Sequence, residues 1–206
     1  MNGALEIIMN DKNLESAIKF CRNSCQELLD KKFPMDMLII TKSLRANYKN
    51  PDQIAHKVLA ERMGKRDPGN KPKSNDRIPY VYIETNTGRN ANVLQGDRIE
   101  NPQYIIENNI KIDYKYYITN QIMKPIGQIL ALNVEKIKGY NKPDKYYNNL
   151  FEKLKTERGD KKAYNKVRDL RYLDAADLVF GDIIRIADNK KNKVREITSY
   201  FKCIKS

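Results

Sequence analysis

Residues 37–51 read MLIITKSLRANYKNP. The predicted fold depends on the change from apolar to basic residues within this stretch. Residues 37–40 are all apolar, which predicts a short, buried β-strand. Residues 41–49 are mostly polar and carry three cations, so the strand leads directly into a basic segment. Pro51 then suits the first turn of a helix, where proline is tolerated. The stretch therefore predicts a strand, a basic segment and a helix, in that order.

The segments after Pro51 alternate between helical and extended patterns. Residues 51–63 place apolar side chains at helical spacing, whereas residues 77–85, RIPYVYIET, are rich in β-branched and aromatic types. Glycine and proline interrupt residues 64–73, which are predicted to form a basic loop. These patterns predict an α+β fold that is mostly helical and contains a small β element.

Helical periodicity also covers both ends of the chain. An apolar stripe predicts a helix over residues 11–29, with Asp11 as its N-cap. Pro125 is expected to kink a helix predicted over residues 113–132. Further helices are predicted over residues 102–108, 146–155 and 167–187.

The charge balance restricts the possible functions of the protein more than its length does. The 206 residues include 39 Lys and Arg against 26 Asp and Glu, which gives a formal net charge of +13. Such an excess predicts a polyanionic partner, nucleic acid or an anionic membrane surface; the alternative is a solvated basic surface without a partner. No stretch approaches the roughly 20 apolar residues that cross a bilayer, and residues 1–30 are too charged for a secretory signal. We therefore expect an intracellular protein.

The three cysteines indicate a reducing environment. Cys21, Cys25 and Cys203 do not suit a disulfide framework or a tetrahedral zinc site. Cys21 and Cys25 lie four residues apart on the apolar face of the first predicted helix. We expect both to be reduced core residues, because a buried thiol behaves as a small hydrophobic group.

A series of linked sequence blocks carries a family resemblance. The blocks are residues 39–51 (IITKSLRANYKNP), 56–63 (HKVLAERM), 66–69 (RDPG), 76–81 (DRIPYV), 102–109 (PQYIIENN) and 112–118 (IDYKYYI). In this order and at this spacing they resemble the thumb region of family B DNA polymerases. The likeness is strongest to delta-like enzymes of large DNA viruses, and it covers residues 38–132 most specifically.

The resemblance implies a DNA-gripping module that performs no catalysis alone. It implies a helical lead-in from the palm over residues 1–36, a thumb over 37–187, and a flexible linker with a tail over 188–206. The family's palm motifs, D-x-x-S-L-Y-P-S and Y-G-D-T-D-S, are not in this sequence, and neither are the finger or exonuclease motifs. We therefore expect no catalytic residue and no cofactor here, and two magnesium ions in a separate palm. The chain would be a fragment of a longer protein or the product of a split gene, with palm and exonuclease portions as partners.

Two basic segments, residues 41–49 and 65–73, are the predicted DNA contacts. Their cations stand beside hydroxyl and aromatic side chains, a composition that suits phosphate oxygens and positions a primer–template duplex without reading its sequence. The alternative is that both loops only keep the surface soluble. The residues predicted to contact DNA are Lys42, Ser43, Arg45, Tyr48, Lys49, Lys65, Arg66, Lys71 and Lys73.

Other polar and aromatic candidates favour structural roles. His56 is the sole histidine, and no cysteine or carboxylate cluster is spaced to join it in catalysis or metal binding. Asp174 and Asp177 share a helix face that Asp182 does not, so we expect solvated carboxylates rather than a metal site. The tyrosines expected to pack in or near the core, rather than to stack on bases, are Tyr114, Tyr116, Tyr117, Tyr146 and Tyr147.

The C-terminal tail resembles a sliding-clamp-binding peptide. Ile197, Tyr200 and Phe201 have the spacing of its three hydrophobic anchors, while Val194 replaces the usual glutamine. The alternative for the tail is a helix that folds back on the thumb. Two alternatives remain for the whole chain: a free-standing basic nucleic-acid-binding protein, or an unrelated enzyme with an unrecognised site.

Overall fold

The computed structural model describes residues 2–7, 13–85 and 93–192. The backbone forms two compact units. The sheet unit comprises Lys31–Tyr117, and the helical unit combines the N-terminal residues up to Asp30 with the residues from Ile118 onward. A small antiparallel sheet in a mainly helical chain confirms the predicted α+β class. The predicted boundaries at residues 36 and 187 stay predictions.

The regular elements are short except for the last helix. The helices are α1 Asn2–Glu6, α2 Leu14–Leu29, α3 Ala55–Arg66, α4 Pro102–Glu107, α5 Tyr114–Tyr116, α6 Lys124–Leu130, α7 Tyr146–Arg158 and α8 Asp160–Asn192. The strands are β1 Ile40–Ser43, β2 Arg77–Tyr82 and β3 Ile99–Glu100. None of the helices in the described residues is long and apolar enough to cross a bilayer.

The sheet places β2 in the centre. This strand pairs antiparallel with β1 and with β3, which confirms the strand predicted after residue 77. Pro79 is tolerated in it because β3 pairs only with Val81 and Tyr82, beyond the position that lacks an N–H. Ile78 and Val81 of β2 and Leu59 of α3 are among the almost fully buried side chains of the sheet unit.

The strand predicted over residues 37–40 is wrong in its position. Met35–Leu38 forms a 3₁₀ turn, and β1 begins only at Ile40. Within the turn Leu38 is buried, whereas Met37 is 70% exposed. The apolar run is not one element, because its residues divide between the turn and the strand.

Two helix starts also differ from the prediction. Pro51 opens a 3₁₀ turn, Pro51–Gln53, and α3 begins only at Ala55. The N-cap of α2 is Asn13, whose Oδ1 accepts the Ser16 backbone N–H at 3.0 Å. The predicted cap, Asp11, lies outside the described residues.

The helix predicted over residues 113–132 is divided by a π-helix, Tyr117–Met123, which separates α5 from α6. The helix is therefore disturbed more strongly near Pro125 than by the kink that was expected. Proline has no N–H to donate to the carbonyl four residues earlier, and its ring crowds that carbonyl. A widened turn directly before α6 relieves this conflict, as π-helical insertions commonly do.

The helical unit is organised around α8. This helix begins directly after Gly159, whose φ of 81° is strained for any other residue, and it continues through Asn192. Residues 188–192, predicted to belong to a flexible linker, are therefore helical. Phe180 of α8 is fully buried, and Cys21 and Cys25 of α2 are free and buried, as predicted. Burial raises the pKa of the Cys25 thiol to about 12, so this group stays protonated.

Candidate nucleic-acid interface

The sheet unit brings the two basic segments together. Strands β1 and β2 pair with Ser43 opposite Arg77. Beyond the pair, the Leu44 N–H donates to the Asp76 carbonyl at 2.8 Å, and the Asn75 N–H donates to the Leu44 carbonyl at 2.7 Å. Lys73 enters this turn through its backbone N–H, which donates to Asp76 Oδ2 at 2.7 Å. The end of the β1–β2 ribbon is therefore where residues 41–49 meet the end of the second basic segment.

Four exposed cations surround this end of the ribbon. Lys42, Arg45 and Lys73 were predicted from the sequence, and Arg77 was missed because it was read only as a strand residue. None of the four forms an ion pair within residues 2–7, 13–85 and 93–192. Side chains alternate along β1, so Ser43 and Arg77 lie on one face of the ribbon and Lys42 on the other. We call these four residues the ribbon cations.

Tyr48 and His56 hold the segment that carries Lys42 and Arg45. The Tyr48 hydroxyl accepts the Arg45 N–H at 2.8 Å and lies 3.0 Å from His56 Nε2. Burial lowers the pKa of His56, the charges of Lys42 and Arg45 lower it further, and a hydrogen bond to the Ser43 backbone opposes them. A neutral imidazole accepts the Tyr48 proton at Nε2, which supports the structural role predicted for this histidine.

Two other predicted DNA contacts are engaged in ion pairs within the sheet unit. Arg66 donates to Glu100 Oε2 at 2.9 Å, and its guanidinium carbon lies 3.5 Å from the centre of the Tyr104 ring. Lys71 Nζ lies 2.8 Å from Glu61 Oε2. Hydrogen bonds from the lysines at positions 57 and 71 lower the pKa of Glu61 to about 2. These pairs arise from residues distant in sequence, so the spacing of cations could not indicate them.

Glu100, the partner of Arg66, is also approached by Arg62. Its side chain is almost fully buried, and Oε1 accepts the Asn101 N–H at 2.8 Å. Arg62 donates to the carbonyls of Gly96 and Ile99 at 3.1 and 2.6 Å, while its Nε lies 3.4 Å from Glu100 Oε2. That N–H is not aligned for a hydrogen bond and has no acceptor among the described residues.

Lys49 and Lys65, the remaining predicted lysines, take no part in the ion pairs described above. Both are exposed, and Lys65 lies in the last turn of α3. No hydrogen bond or ion pair in the described part of the chain connects either of them to the ribbon cations.

The aspartates considered for a metal site take part in other contacts. Asp174 contacts Lys142 and the Tyr147 hydroxyl, and Asp182 pairs with Arg22. Asp174 is therefore less solvated than predicted. Over residues 2–7, 13–85 and 93–192, no group of three His, Cys, Asp or Glu side chains is placed to hold a metal ion.

The five tyrosines pack in or near the core, as predicted. Tyr117 and Tyr147 are buried, while the other three tyrosines of that prediction are intermediate. The proposed clamp anchors Ile197, Tyr200 and Phe201 lie outside the described residues.

The fold and the charge together define a basic α+β protein, and comparison with known proteins assigns its family. Residues 1–133 match the family model of DNA polymerase family B. The chain belongs to this family. It is 46% identical over 97% of its length to a DNA polymerase of Pyramimonas orientalis virus, of which it covers 16%.

Further relatives extend this likeness to other viruses and to eukaryotes. The chain is 47% identical to a DNA polymerase of Acanthamoeba polyphaga mimivirus, over 66% of this chain and 8% of that protein. It is 39% identical to the DNA polymerase delta catalytic subunit of Glycine max, over 63% of this chain and 12% of that protein. The chain spans less than a fifth of the length of each of these relatives.

Proposed function

We propose that this chain is the thumb region of a replicative family B DNA polymerase and grips primer–template duplex by its phosphate backbone. The observation that carries the proposal is the cluster of ribbon cations, Lys42, Arg45, Lys73 and Arg77, in a chain of this family. Each is exposed and makes no ion pair within the described residues, so each keeps its charge available for a phosphate. Contacts of this kind fix the position of a duplex without reading its bases.

The two faces of the ribbon extend the contact surface. Lys42 and Arg45 are near enough to His56 for their charges to lower its pKa, and Arg77 lies opposite Ser43 in the β1–β2 pair. An arginine can bind two oxygens of one phosphate, and a serine hydroxyl can add a third hydrogen bond. The Tyr48–His56 contact holds the backbone of this segment, which lowers the entropy lost when its cations bind.

The rest of the enzyme would supply the chemistry. The proposal places the two magnesium ions and the catalytic aspartates in a palm that this sequence does not include, with the palm and exonuclease portions as partners. It keeps the predicted extents of lead-in and thumb, residues 1–36 and 37–187. The site of action would be a replication site in the host nucleus or cytoplasm.

Salt dependence tests the gripping function directly. Fluorescence anisotropy of the purified chain with a labelled duplex should give a log affinity that falls linearly with log salt, at about −0.9 per phosphate contacted. Four contacts predict a slope of about −3.6. Two unrelated duplex sequences should bind almost equally. A slope near zero, or a strong preference for one sequence, would contradict backbone gripping.

We further propose that the tail binds a sliding clamp through Ile197, Tyr200 and Phe201, on the basis of their spacing alone. A peptide of residues 190–206 should bind the cognate clamp with about micromolar affinity, because aromatic anchors dominate small interfaces. Replacing Tyr200 and Phe201 by alanine should abolish binding, and Val194→Gln should strengthen it. Calorimetry would measure both. The idea fails if the double replacement instead lowers the melting temperature of the whole chain and the peptide ignores the clamp.

A further inference from the structure

The helical unit contains an open groove of about 880 Å³ between α6, α7 and α8. Phe151 of α7, Tyr164 and Tyr172 of α8, and Leu132 line it. Tyr164 is 61% exposed, and Leu132 is exposed as well. A volume of this size accommodates ligands of a few hundred daltons, and large exposed apolar side chains in a concave surface commonly mark a binding site.

Polar groups in the same groove match the edges of a nucleobase. Gln128 of α6, together with Asn148 and Glu152 of α7, lines the walls. Two amides offer both donors and acceptors, and the carboxylate accepts from a ring N–H, such as thymine N3–H, or from an exocyclic amino group. A neutral aromatic ring with hydrogen-bonding edges therefore fits this lining better than a purely apolar group would.

Cations stand along the groove and at its end. Lys124 and Arg168 line it, and Arg168 is ion-paired with Asp169 at 3.0 Å. Helical periodicity places Lys161 one turn before Tyr164 on the same face of α8. Among the described residues Lys124 and Lys161 form no ion pair, although Lys124 Nζ donates to the Asn120 side chain at 2.6 Å.

The turn between α7 and α8 adds further positive charge. Lys155 lies one turn beyond Phe151, with its Nζ 5.9 Å from the ring centre and 3.4 Å from an oxygen of Asp160. Arg158 and Lys162 are exposed on either side of Gly159. The groove is therefore lined by aromatic side chains, and further cations lie at the adjoining α7–α8 turn, a combination that suits unpaired nucleotides.

We propose that this groove binds an unpaired nucleotide of single-stranded nucleic acid. The base stacks against Tyr164 and Phe151, and the adjoining phosphates contact Lys124 and Lys161, which form no ion pair among the described residues. The groove uses residues of the helical unit alone, and the proposal does not depend on the role of the ribbon cations in gripping duplex.

Two competing ligands fit less well. An acidic peptide would bring its carboxylates against Glu152 and Asp169, whereas a nucleotide places a neutral ring there and leaves its charge at the cationic rim. A duplex keeps its bases stacked inside, so it could use the cations but not the aromatic lining. Binding that depends on the aromatic side chains therefore distinguishes an unpaired nucleotide from the other two ligands.

A tryptophan at position 164 would report the stacking locally, because the chain contains no other tryptophan. In the full-length Tyr164→Trp variant, an oligothymidylate of about 12 nucleotides should quench the fluorescence, whereas an abasic strand of equal length should not. The signal comes from the groove alone, so removal of the ribbon cations should leave it unchanged. The two proposals can therefore fail independently.

Affinity measurements on matched variants complete the test. Tyr164→Ala should weaken oligothymidylate binding on the order of tenfold, to the level of the abasic strand, while Tyr164→Phe should retain it. Leu173→Ala, a control at an exposed apolar residue of α8 outside the groove, should have no effect. Equal binding of the abasic strand to the unmodified chain would overturn the proposal. Tyr164-dependent binding of a duplex or an oligoglutamate with equal affinity would also overturn it.

Discussion

Replacing Lys42, Arg45, Lys73 and Arg77 together by alanine is expected to weaken duplex binding by about 10²–10³-fold near 0.15 M salt. Each phosphate contact releases roughly one counterion, so four lost contacts should also reduce the slope of log affinity against log salt by about 3–4. The fold should survive, because none of the four side chains is buried or ion-paired within the described residues. Anisotropy at several salt concentrations measures affinity and slope together, and circular dichroism checks the fold.

A second quadruple variant separates local contact from loss of net charge. Lys19, Lys32, Lys111 and Lys136 are also exposed and lie on other elements or loops. Replacing them by alanine removes the same charge, so it lowers the long-range attraction equally. We expect this control to weaken duplex binding by less than about tenfold. Equal losses in the two variants would show that the ribbon cations are not the binding surface and that net charge alone attracts DNA.

The fold class was predictable because it depends on composition and periodicity, which local sequence contains. The positions of individual helices and strands were harder to predict from the sequence where two local preferences compete. Residues 37–40 are apolar throughout, yet only contacts with distant residues decide that Leu38 ends a turn and that Ile40 starts a strand. The apolar positions 118, 122, 126 and 130 repeat at a strict spacing of four. This spacing fits a continuous helix and one containing a π-turn equally well.

The candidate site was predictable as a region but not residue by residue. The sequence identified both basic segments, since clustered cations and turn-forming residues are local features. It could not separate Lys73, whose charge is available, from Lys71, whose partner Glu61 lies ten residues away on α3. Arg77 was missed for the opposite reason: it reaches the site by pairing opposite Ser43, and strand register is a long-range property.

The groove in the helical unit lay beyond prediction from sequence. Tyr147 and Tyr164 look alike as helical aromatic residues, but the first is buried and the second is exposed. Three helices separated by a 3₁₀ segment, a loop and a glycine build its walls, so no short motif encodes it. Packing decides which aromatic residues serve the core and which remain available for a ligand.

Arg66 illustrates how a residue of the family-like blocks can act through the fold instead of through DNA. Its hydrogen bond to Glu100 raises the pKa of the guanidinium group, and its flat face covers Tyr104. With Arg62 it connects α3, β3 and α4. Helix α3 contains the block 56–63, and α4 lies within the block 102–109. A carboxylate that is 3% exposed needs these partners, because burying an unpaired charge is costly.

Glu100→Ala is therefore expected to lower the free energy of unfolding of the sheet unit by about 2–4 kcal/mol. The loss stays near the lower end of that range if the two partly exposed arginines turn towards water. Asp97→Ala is the matched control, since Asp97 is an exposed carboxylate 4.0 Å from Arg62, and it should cost less than about 1 kcal/mol. Hydrogen exchange should show faster exchange in β2 and α3 but not in α8. Equal, small effects of both replacements would mean that Glu100 does not hold these elements together.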